Sequence, residues 1–524
     1  MTREAAILPD ISHAPPPALV ESWTGPAKES ALSFRAFLRR STALSAATIL
    51  NALIQFPLGL LVAHVLGPEG LGVVGFVAVW QLYASMAKTG IYSAAQREAT
   101  ALLGQGKSRE ATALQHVGVT GEGIWVLLVA GVMVGAACLQ SHPWLRHGLL
   151  IGAVGFIGSQ AADFVTGLHF IRERFPVMAK TTVLSSLGSV IFVLSTIAWL
   201  KIYSPLLKTT VIALTTLLGF RLWAPTLALR WRWDPRECRR LLAVGLPLSL
   251  QTFLCWGFRS VDQAMAAVAL PLTELGYFTF VKQCVSLGVL MVINLIIVIY
   301  PRLWAELERV ANPQVLGPQI RRLLCWLLLV TCAMTSLSQA WCGALVHWLL
   351  PRYQPAIGLF ELFAFLLAAG TLQNVPVYLL NSATLNRHRL VTAMWGSGFA
   401  LHIGLTTWAI RAGWGLHGIV LCSVAAQTMF SVALLLLIHR YVVTGWRSGL
   451  SLYGWLGGLV LVTGGLFGVY HLGPFSYEGT SPVLTVFMGR TVLAVAVWGA
   501  MGWMVWRGGW SGVVPRLAAG RARR

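Results

Sequence analysis

Two oppositely charged residues interrupt the apolar segment CWGFRSVDQAMAAVAL, residues 255–270. They are Arg259 and Asp262, and their spacing puts both on one face of a helix. Placing one charged side chain at the centre of a bilayer costs about 2.5–3.5 kcal/mol on insertion scales. The segment therefore poses two alternatives. Either the two side chains form a structural ion pair, or they face a hydrated cavity.

Other polar residues interrupt apolar segments elsewhere in the chain. Such residues usually face the interior of a helix bundle or a water-filled path. We expect the following to contribute to one cavity or to buried ion sites: Asn51, Gln55, Lys88, Asp163, Arg221, Arg259, Asp262, Gln263 and Glu361. For Lys88, Lys282, Glu361 and Arg490, a position near the end of a span explains the charge equally well, because long side chains reach the interface.

The composition explains why these charges matter. Of the 524 residues, 56% are hydrophobic and 11% are charged, and the mean hydropathy is +0.70. Soluble domains carry about 25% charged residues, so the chain is predicted to be an all-α, multi-pass membrane protein. A span needs about 20 apolar residues, and we predict fourteen. They begin near residues 41, 71, 117, 148, 181, 209, 241, 276, 323, 356, 390, 415, 453 and 484.

Lysine and arginine are distributed unequally between the two sides of this predicted bundle. With the N-terminus inside, 29 of the 39 fall on the inner side and 5 on the outer side. This bias predicts cytoplasmic termini and explains the net charge of +21 without nucleic-acid binding. The predicted parts are a cytoplasmic tail (1–40), an N-lobe of six spans (41–230), a basic cytoplasmic linker (231–240), a C-lobe of six spans (241–440), two extra spans (453–506) and a basic tail (507–524).

A weak internal repeat relates the two lobes. LGPEGLGVVGFVAVW (66–80) follows the first span, and LPLTELGYFTFVKQC (270–284) follows the seventh. Aligning Leu71-Gly72 with Leu275-Gly276 sets the offset at 204 residues. Six spans separate the copies, so we predict parallel repeats that face each other across a central cavity.

The usual enzymatic motifs do not account for the chain. ALLGQGKS (101–108) resembles a phosphate-binding loop, but alanine stands where the first glycine is needed and no strand precedes it. The eight cysteines show no zinc or disulfide spacing. The sequence predicts no enzyme, no cofactor and no metal site.

Residues 50–99, which include LGPEGLG, KTGIYSA and QREA, resemble the beginning of Wzx-like oligosaccharide flippases. These proteins belong to the multidrug/oligosaccharidyl-lipid/polysaccharide (MOP) exporter superfamily. RSVDQAMAAVALPLTELGYF (259–278) is similar to the family's seventh span, in which an aspartate is typical. The resemblance covers residues 34–113 and 241–322 and carries Asp262 over as a family position. It carries Arg259 over less directly and leaves spans thirteen and fourteen without a role.

The resemblance implies a transporter of the bacterial inner membrane. It would move undecaprenyl-pyrophosphate-linked oligosaccharide from the inner to the outer leaflet by rocking of its two lobes. On this reading Arg259, with Arg221 or Lys88, contacts the pyrophosphate. Asp262 positions Arg259 or, like Asp163 and Glu361, couples an ion. The implied partners are the lipid-linked glycan, membrane lipids and polysaccharide polymerase or export proteins.

Two alternatives remain at this stage. One is a cation-coupled multidrug or metabolite exporter of the same superfamily, for which acidic or aromatic cavity walls are expected. The other is a membrane scaffold within a polysaccharide assembly complex, in which substitutions deep in the cavity have little effect.

Overall fold

The computed structural model describes residues 27–172, 174–224, 230–309, 313–382, 384–442, 446–472 and 482–507. These ranges are helical and contain no β-strand. An all-helical chain suits a bilayer because helices satisfy their own backbone hydrogen bonds. Ten helical stretches in the described ranges are long and apolar enough to cross a membrane. The all-α membrane fold is thereby confirmed, whereas the count of fourteen spans stays a prediction.

The helices are numbered in chain order. In the first half they are α1 (Ala27–Met86), α2 (Ile91–Gly104), α3 (Ser108–Leu139), α4 (Pro143–Phe170), α5 (Phe175–Leu200) and α6 (Tyr203–Trp223). In the second half they are α7 (Pro235–Ala269), α8 (Leu272–Arg309), α9 (Gly317–Leu349), α10 (Ile357–Phe363), α11 (Leu366–Leu380), α12 (His388–Arg411), α13 (Gly415–Tyr441), α14 (Trp446–Leu472) and α15 (Val483–Arg507). Most of the predicted terminal tails lie outside the described residues, and α1 already begins at Ala27.

Helix α1 is interrupted by a sharp kink. Gly67 has φ +69°, a conformation that glycine adopts without the steric cost of a Cβ, and Pro68 follows it. The kink lies in the LGPEGLG segment and divides α1 into two arms, which correspond to the predicted first and second spans. The second arm packs against α8.

Glycines let α1 and α8 meet backbone to backbone. A Cβ on Gly72 would overlap the carbonyl oxygen of Leu272, and a Cβ on Gly276 would overlap that of Pro68. Both pairs are related by the 204-residue offset found in the sequence, so the contact is reciprocal. This is the geometry expected of two repeats related by an approximate two-fold axis. We call it the glycine contact.

The short helix α2 is anchored by a buried carboxylate of α3. Glu122, 1% exposed, accepts hydrogen bonds from the backbone amides of Thr89 at 2.8 Å and Tyr92 at 3.2 Å. An acidic group there satisfies free amides at the start of a helix and complements its dipole. The carboxylate therefore has a structural role in holding α2 against the bundle.

Helices α14 and α15 pack on α9. Arg490 of α15 is 1% exposed and forms an ion pair with Glu361 of α10, which is equally buried. Arg490 also donates to the carbonyl of Gln339 at 3.3 Å. His471 of α14 lies 3.5 Å from the same carboxylate. Arg490 of α15 therefore supplies the positive charge that compensates Glu361, and α14 places an imidazole beside the same carboxylate.

We predict that Arg490→Met lowers the stability of the purified protein strongly. Removing one partner of a buried ion pair costs about 3–5 kcal/mol, because the other charge stays buried without compensation. Thermal unfolding in detergent measures the effect. The double variant Glu361→Gln/Arg490→Met should recover part of the loss, and Arg411→Met, an exposed arginine of α12, is the matched control. Equal melting temperatures for Arg490→Met and that control would contradict the role of the pair.

Candidate functional site

A cavity of about 620 Å³ lies between the two halves of the bundle. Helices α1 and α6 form the wall on the N-terminal side. Helices α7, α8, α10, α11 and α13 form the opposite wall. Most lining side chains are apolar, for example Leu71, Val77 and Val285. Against this background the few charged groups dominate the chemistry of the cavity.

The charged lining residues are predominantly basic. Lys208, Arg259 and Lys282 line the cavity, and Asp262 is the carboxylate among the residues that form its walls. The lining therefore has a net positive charge. In a region of low dielectric constant these charges act on a ligand more strongly than in water. Such a cavity favours an anionic group over a cationic one.

Arg259 extends from a rigid aromatic wall. Its neighbour Phe258 is fully buried and contacts the rings of Trp395 and Phe430, with centroids 5.6 and 4.8 Å away. The guanidinium carbon lies 5.6 Å from the Trp395 ring, within the range of a cation–π contact. One Nη donates to Oδ1 of Asn374 at 3.1 Å, and Nε has no partner among the described residues. The guanidinium is therefore held in place and still has donor capacity.

Asp262 pairs with Lys282 across the α7–α8 hairpin. Lys282 Nζ lies 2.6 Å from Oδ1 of Asp262, and the aspartate side chain is fully buried. The second oxygen, Oδ2, has no hydrogen-bond partner in the described part of the chain. A buried carboxylate needs such compensation because desolvating it is costly. The ion pair forms with Lys282, so the alternative of an Arg259–Asp262 pair is not the arrangement observed.

A polar ladder connects the cavity with the interior of the N-terminal half. Lys208 Nζ donates to Oε1 of Gln55 at 3.0 Å, and Nε2 of Gln55 donates to Ser189 at 2.8 Å. About one helical turn away on α1, Oδ1 of Asn51 accepts from Ser186 at 2.6 Å. Gln55 orients Lys208 without neutralising it. The lysine therefore reaches the cavity wall with a neutral partner instead of a carboxylate.

The two walls also touch each other inside the cavity. Ser260 lies 3.3 Å from the hydroxyl of Tyr83, which joins α7 to α1. Gln263 lines the cavity one residue beyond Asp262. Trp256 lines it as well and is 49% exposed. The guanidinium carbon of Arg259 lies 6.0 Å from the centroid of the Trp256 ring, so the two side chains are neighbours in the cavity wall.

Four predicted site residues lie elsewhere. Lys88 and Asp163 form a 3.7 Å ion pair in a separate cavity of about 180 Å³ within the N-terminal half. Arg221 is exposed near the end of α6, and it lines none of the cavities described here. Glu361 is enclosed with Arg490. Of the predicted set, Arg259, Asp262 and Gln263 line the cavity directly, and Gln55 acts on it through Lys208.

Sequence reasoning missed two of the three basic groups. Lys282 could be assigned equally well to an interfacial position. A sixth span that begins near residue 209 leaves Lys208 in an outer loop, whereas α6 begins at Tyr203 and includes it. The available signal was a lysine followed by a long apolar run, which equally fits the first turn of a span.

Solved structures of membrane transport proteins share this fold. A lipid II flippase MurJ structure in an inward closed conformation superposes with a TM-score of 0.65, at 11% identity, over 88% of this chain and 98% of that chain. An inward-facing multidrug resistance MATE family transporter of the MOP superfamily gives a TM-score of 0.58, at 12% identity, over 78% and 95%. At this identity the likeness concerns the fold. No curated protein matches the sequence.

The sequence itself identifies the family. Residues 37–305 match the family model described as polysaccharide biosynthesis protein. The resemblance noted for the LGPEGLG and RSVDQ segments is thus confirmed at the level of the family. Because the match covers more than half of the 524 residues, the chain belongs to the polysaccharide biosynthesis protein family.

Proposed function

We propose that the protein moves a lipid-linked oligosaccharide with a pyrophosphate head group, of the undecaprenyl type, from the inner to the outer leaflet. The observation that carries the proposal is the charge of the inter-lobe cavity, in which three basic side chains face one carboxylate. Sugar and pyrophosphate cannot cross hydrocarbon unaided, because burying unpaired polar and charged groups is costly. A cavity that carries charged groups between two apolar helix bundles offers them a path while the lipid tail stays in the bilayer.

The basic groups suit a diphosphate by geometry as well as by charge. The guanidinium of Arg259 presents a planar fork of donors, which matches phosphate oxygens in pairs. Lys208 and Lys282 stand on the two opposite walls of the cavity and add point charges. Trp256 provides an adjacent surface for the first sugar. A cationic drug would meet like charge here, so the cavity favours a glycan flippase over the multidrug exporter alternative.

The membrane potential favours outward movement of such an anion. With the cell interior negative, each charge gains about 2.3 kcal/mol per 100 mV. We further propose that Asp262 couples transport to a proton or sodium ion. It is the one predicted coupling carboxylate that lines the cavity, and its Oδ2 is unpartnered among the described residues. An ion bound to Oδ2 would weaken the hold of Asp262 on Lys282 and free that lysine for the diphosphate.

Substitution of the basic groups should reduce transport. Losing a hydrogen bond to a charged group costs about 1.5–3 kcal/mol, which corresponds to about 10- to 100-fold in affinity. We expect this loss for Arg259→Ala and Lys208→Gln, and a smaller one for Arg259→Lys. Complementation of glycan export, together with binding of the lipid-linked glycan to purified protein, measures it. Arg146→Ala, at an exposed position in the first turn of α4, is the control. Normal export by Arg259→Ala at equal expression would remove Arg259 from the site.

The coupling proposal has its own test. Asp262→Asn should abolish the dependence of flipping on a proton or sodium gradient in proteoliposomes, while stimulation by the membrane potential remains. Asp163→Asn changes the carboxylate that lies outside the inter-lobe cavity and should keep the gradient dependence. Unchanged gradient dependence in Asp262→Asn would exclude this carboxylate as the coupling group.

Alternating access requires the glycine contact to open. Gly72→Ala and Gly276→Ala each place a Cβ against backbone of the opposite half. We expect both to favour the state open at that end, which the charge distribution assigns to the outside. A cysteine in place of the cavity residue Gln283 should then react faster with a membrane-impermeant maleimide added outside. Gly131→Ala, where a Cβ meets no atom within 4 Å, should leave the rate unchanged. Equal labelling of all variants would show that this contact is not a gate.

A further inference from the structure

Arginine and tryptophan alternate in the connection between the two halves of the bundle. The sequence RWRWDPRECR, residues 230–239, follows α6 and includes the first residues of α7, which begins at Pro235. Trp231 and Trp233 are 70% and 60% exposed. The basic residues of the segment are also exposed: Arg230, Arg232, Arg236 and Arg239. We call residues 230–239 the linker platform.

The backbone of the linker platform is fixed to the bundle. The amide of Arg232 donates to Oγ1 of Thr120 on α3 at 2.8 Å, and the ring of Trp231 packs over Gly123. Asp234 caps α7 by accepting from the amides of Arg236 and Glu237 at 3.1 and 3.2 Å. The side chains are thus presented from an ordered backbone, which reduces the entropy lost on binding.

The arginines of the platform have unused charge. Within the described residues, Arg230, Arg232, Arg236 and Arg239 form no ion pair, whereas the adjacent Arg240 pairs with Glu98 and Glu237 at 2.6 and 2.7 Å. The carboxylate of Asp234 is engaged by the helix cap. Four exposed guanidinium groups therefore lie beside two exposed indoles. Arg232 shares a groove with Glu98, Glu110, Asp234 and Glu237, whereas Arg230, Arg236 and Arg239 are not among the residues that line it.

We propose that the linker platform binds the head groups of anionic phospholipids. Both α6 and α7 are candidate spans, so the segment between them lies at the membrane surface. Indole rings prefer this interfacial depth, and guanidinium forks match phosphate oxygens. A protein or nucleic-acid partner would not supply the membrane–water interface that the two indoles prefer. The end of α6 has the same pairing, since Arg221 and Trp223 are both exposed there.

Binding at this place links lipid to the moving parts of the protein. The platform is attached to α3 through Thr120 and continues directly into α7, the helix that carries Arg259 and Asp262. Anionic lipid would hold this junction at a defined depth while the halves rock about it. The site is separate from the inter-lobe cavity and does not depend on the identity of the transported glycan.

Lipid binding to full-length protein tests the proposal. The probe is phosphatidylglycerol added to the detergent-purified protein, with bound lipid counted by native mass spectrometry. Each basic residue near an anionic surface contributes about 1 kcal/mol, so Arg236→Gln/Arg239→Gln should weaken binding about 30-fold. Trp233→Ala should weaken it as well, and Arg236→Lys/Arg239→Lys should weaken it less than the glutamine pair. The matched control is Arg97→Gln/Arg109→Gln, two exposed arginines in the α2–α3 region.

Three results would overturn the proposal. One is equal phosphatidylglycerol binding by the linker variant and the control, once thermal unfolding has shown that both proteins are folded. Another is equal binding of phosphatidylcholine and phosphatidylglycerol by the unmodified protein. The third is displacement of the lipid by millimolar inorganic phosphate, which would show a simple anion site without an interfacial component.

Discussion

The close approach of α1 and α8 is the constraint on which the arrangement of the cavity depends. Two backbones meet there because glycine stands at both repeated positions, and any side chain would separate them. The contact brings the two halves together beside the cavity. Lys208 of one half and Lys282 of the other thereby line the same cavity.

Charge burial sets a second requirement, and the chain meets it in three ways. Asp262 and Lys282 pair with each other, so neither is fully uncompensated. Lys208 is hydrogen-bonded to the neutral amide of Gln55. Arg259 uses an amide and an aromatic ring. Neutral partners orient a cation without cancelling it, which is the property that an anion-binding cavity needs.

The sequence predicted the helical membrane fold, the family and the presence of charges inside the bundle, because these follow from composition, spacing and local motifs. It did not predict which side chains pair with each other when the two members of the pair are on different helices. Arg259 is one turn from Asp262, yet the antiparallel α7–α8 hairpin brings Lys282 closer to the carboxylate than the helix brings the arginine. The role of Glu122 was not predicted, because the residues around it in the sequence do not show that its carboxylate meets the backbone amides at the start of α2. Assigning Lys208 to a span required the first residue of α6. That boundary is hard to predict where an apolar loop joins an apolar span.

The Glu361–Arg490 pair also has a consequence for the order in which the protein is assembled. The two residues are 129 positions apart, and the arginine is on the last long helix described. Until that helix is inserted, the carboxylate of α10 lacks the arginine that compensates its charge. The described second half of the bundle therefore reaches its final packing only once α15 is in place. Helix α15 thus completes the charge compensation of a carboxylate on a helix that is synthesised before it.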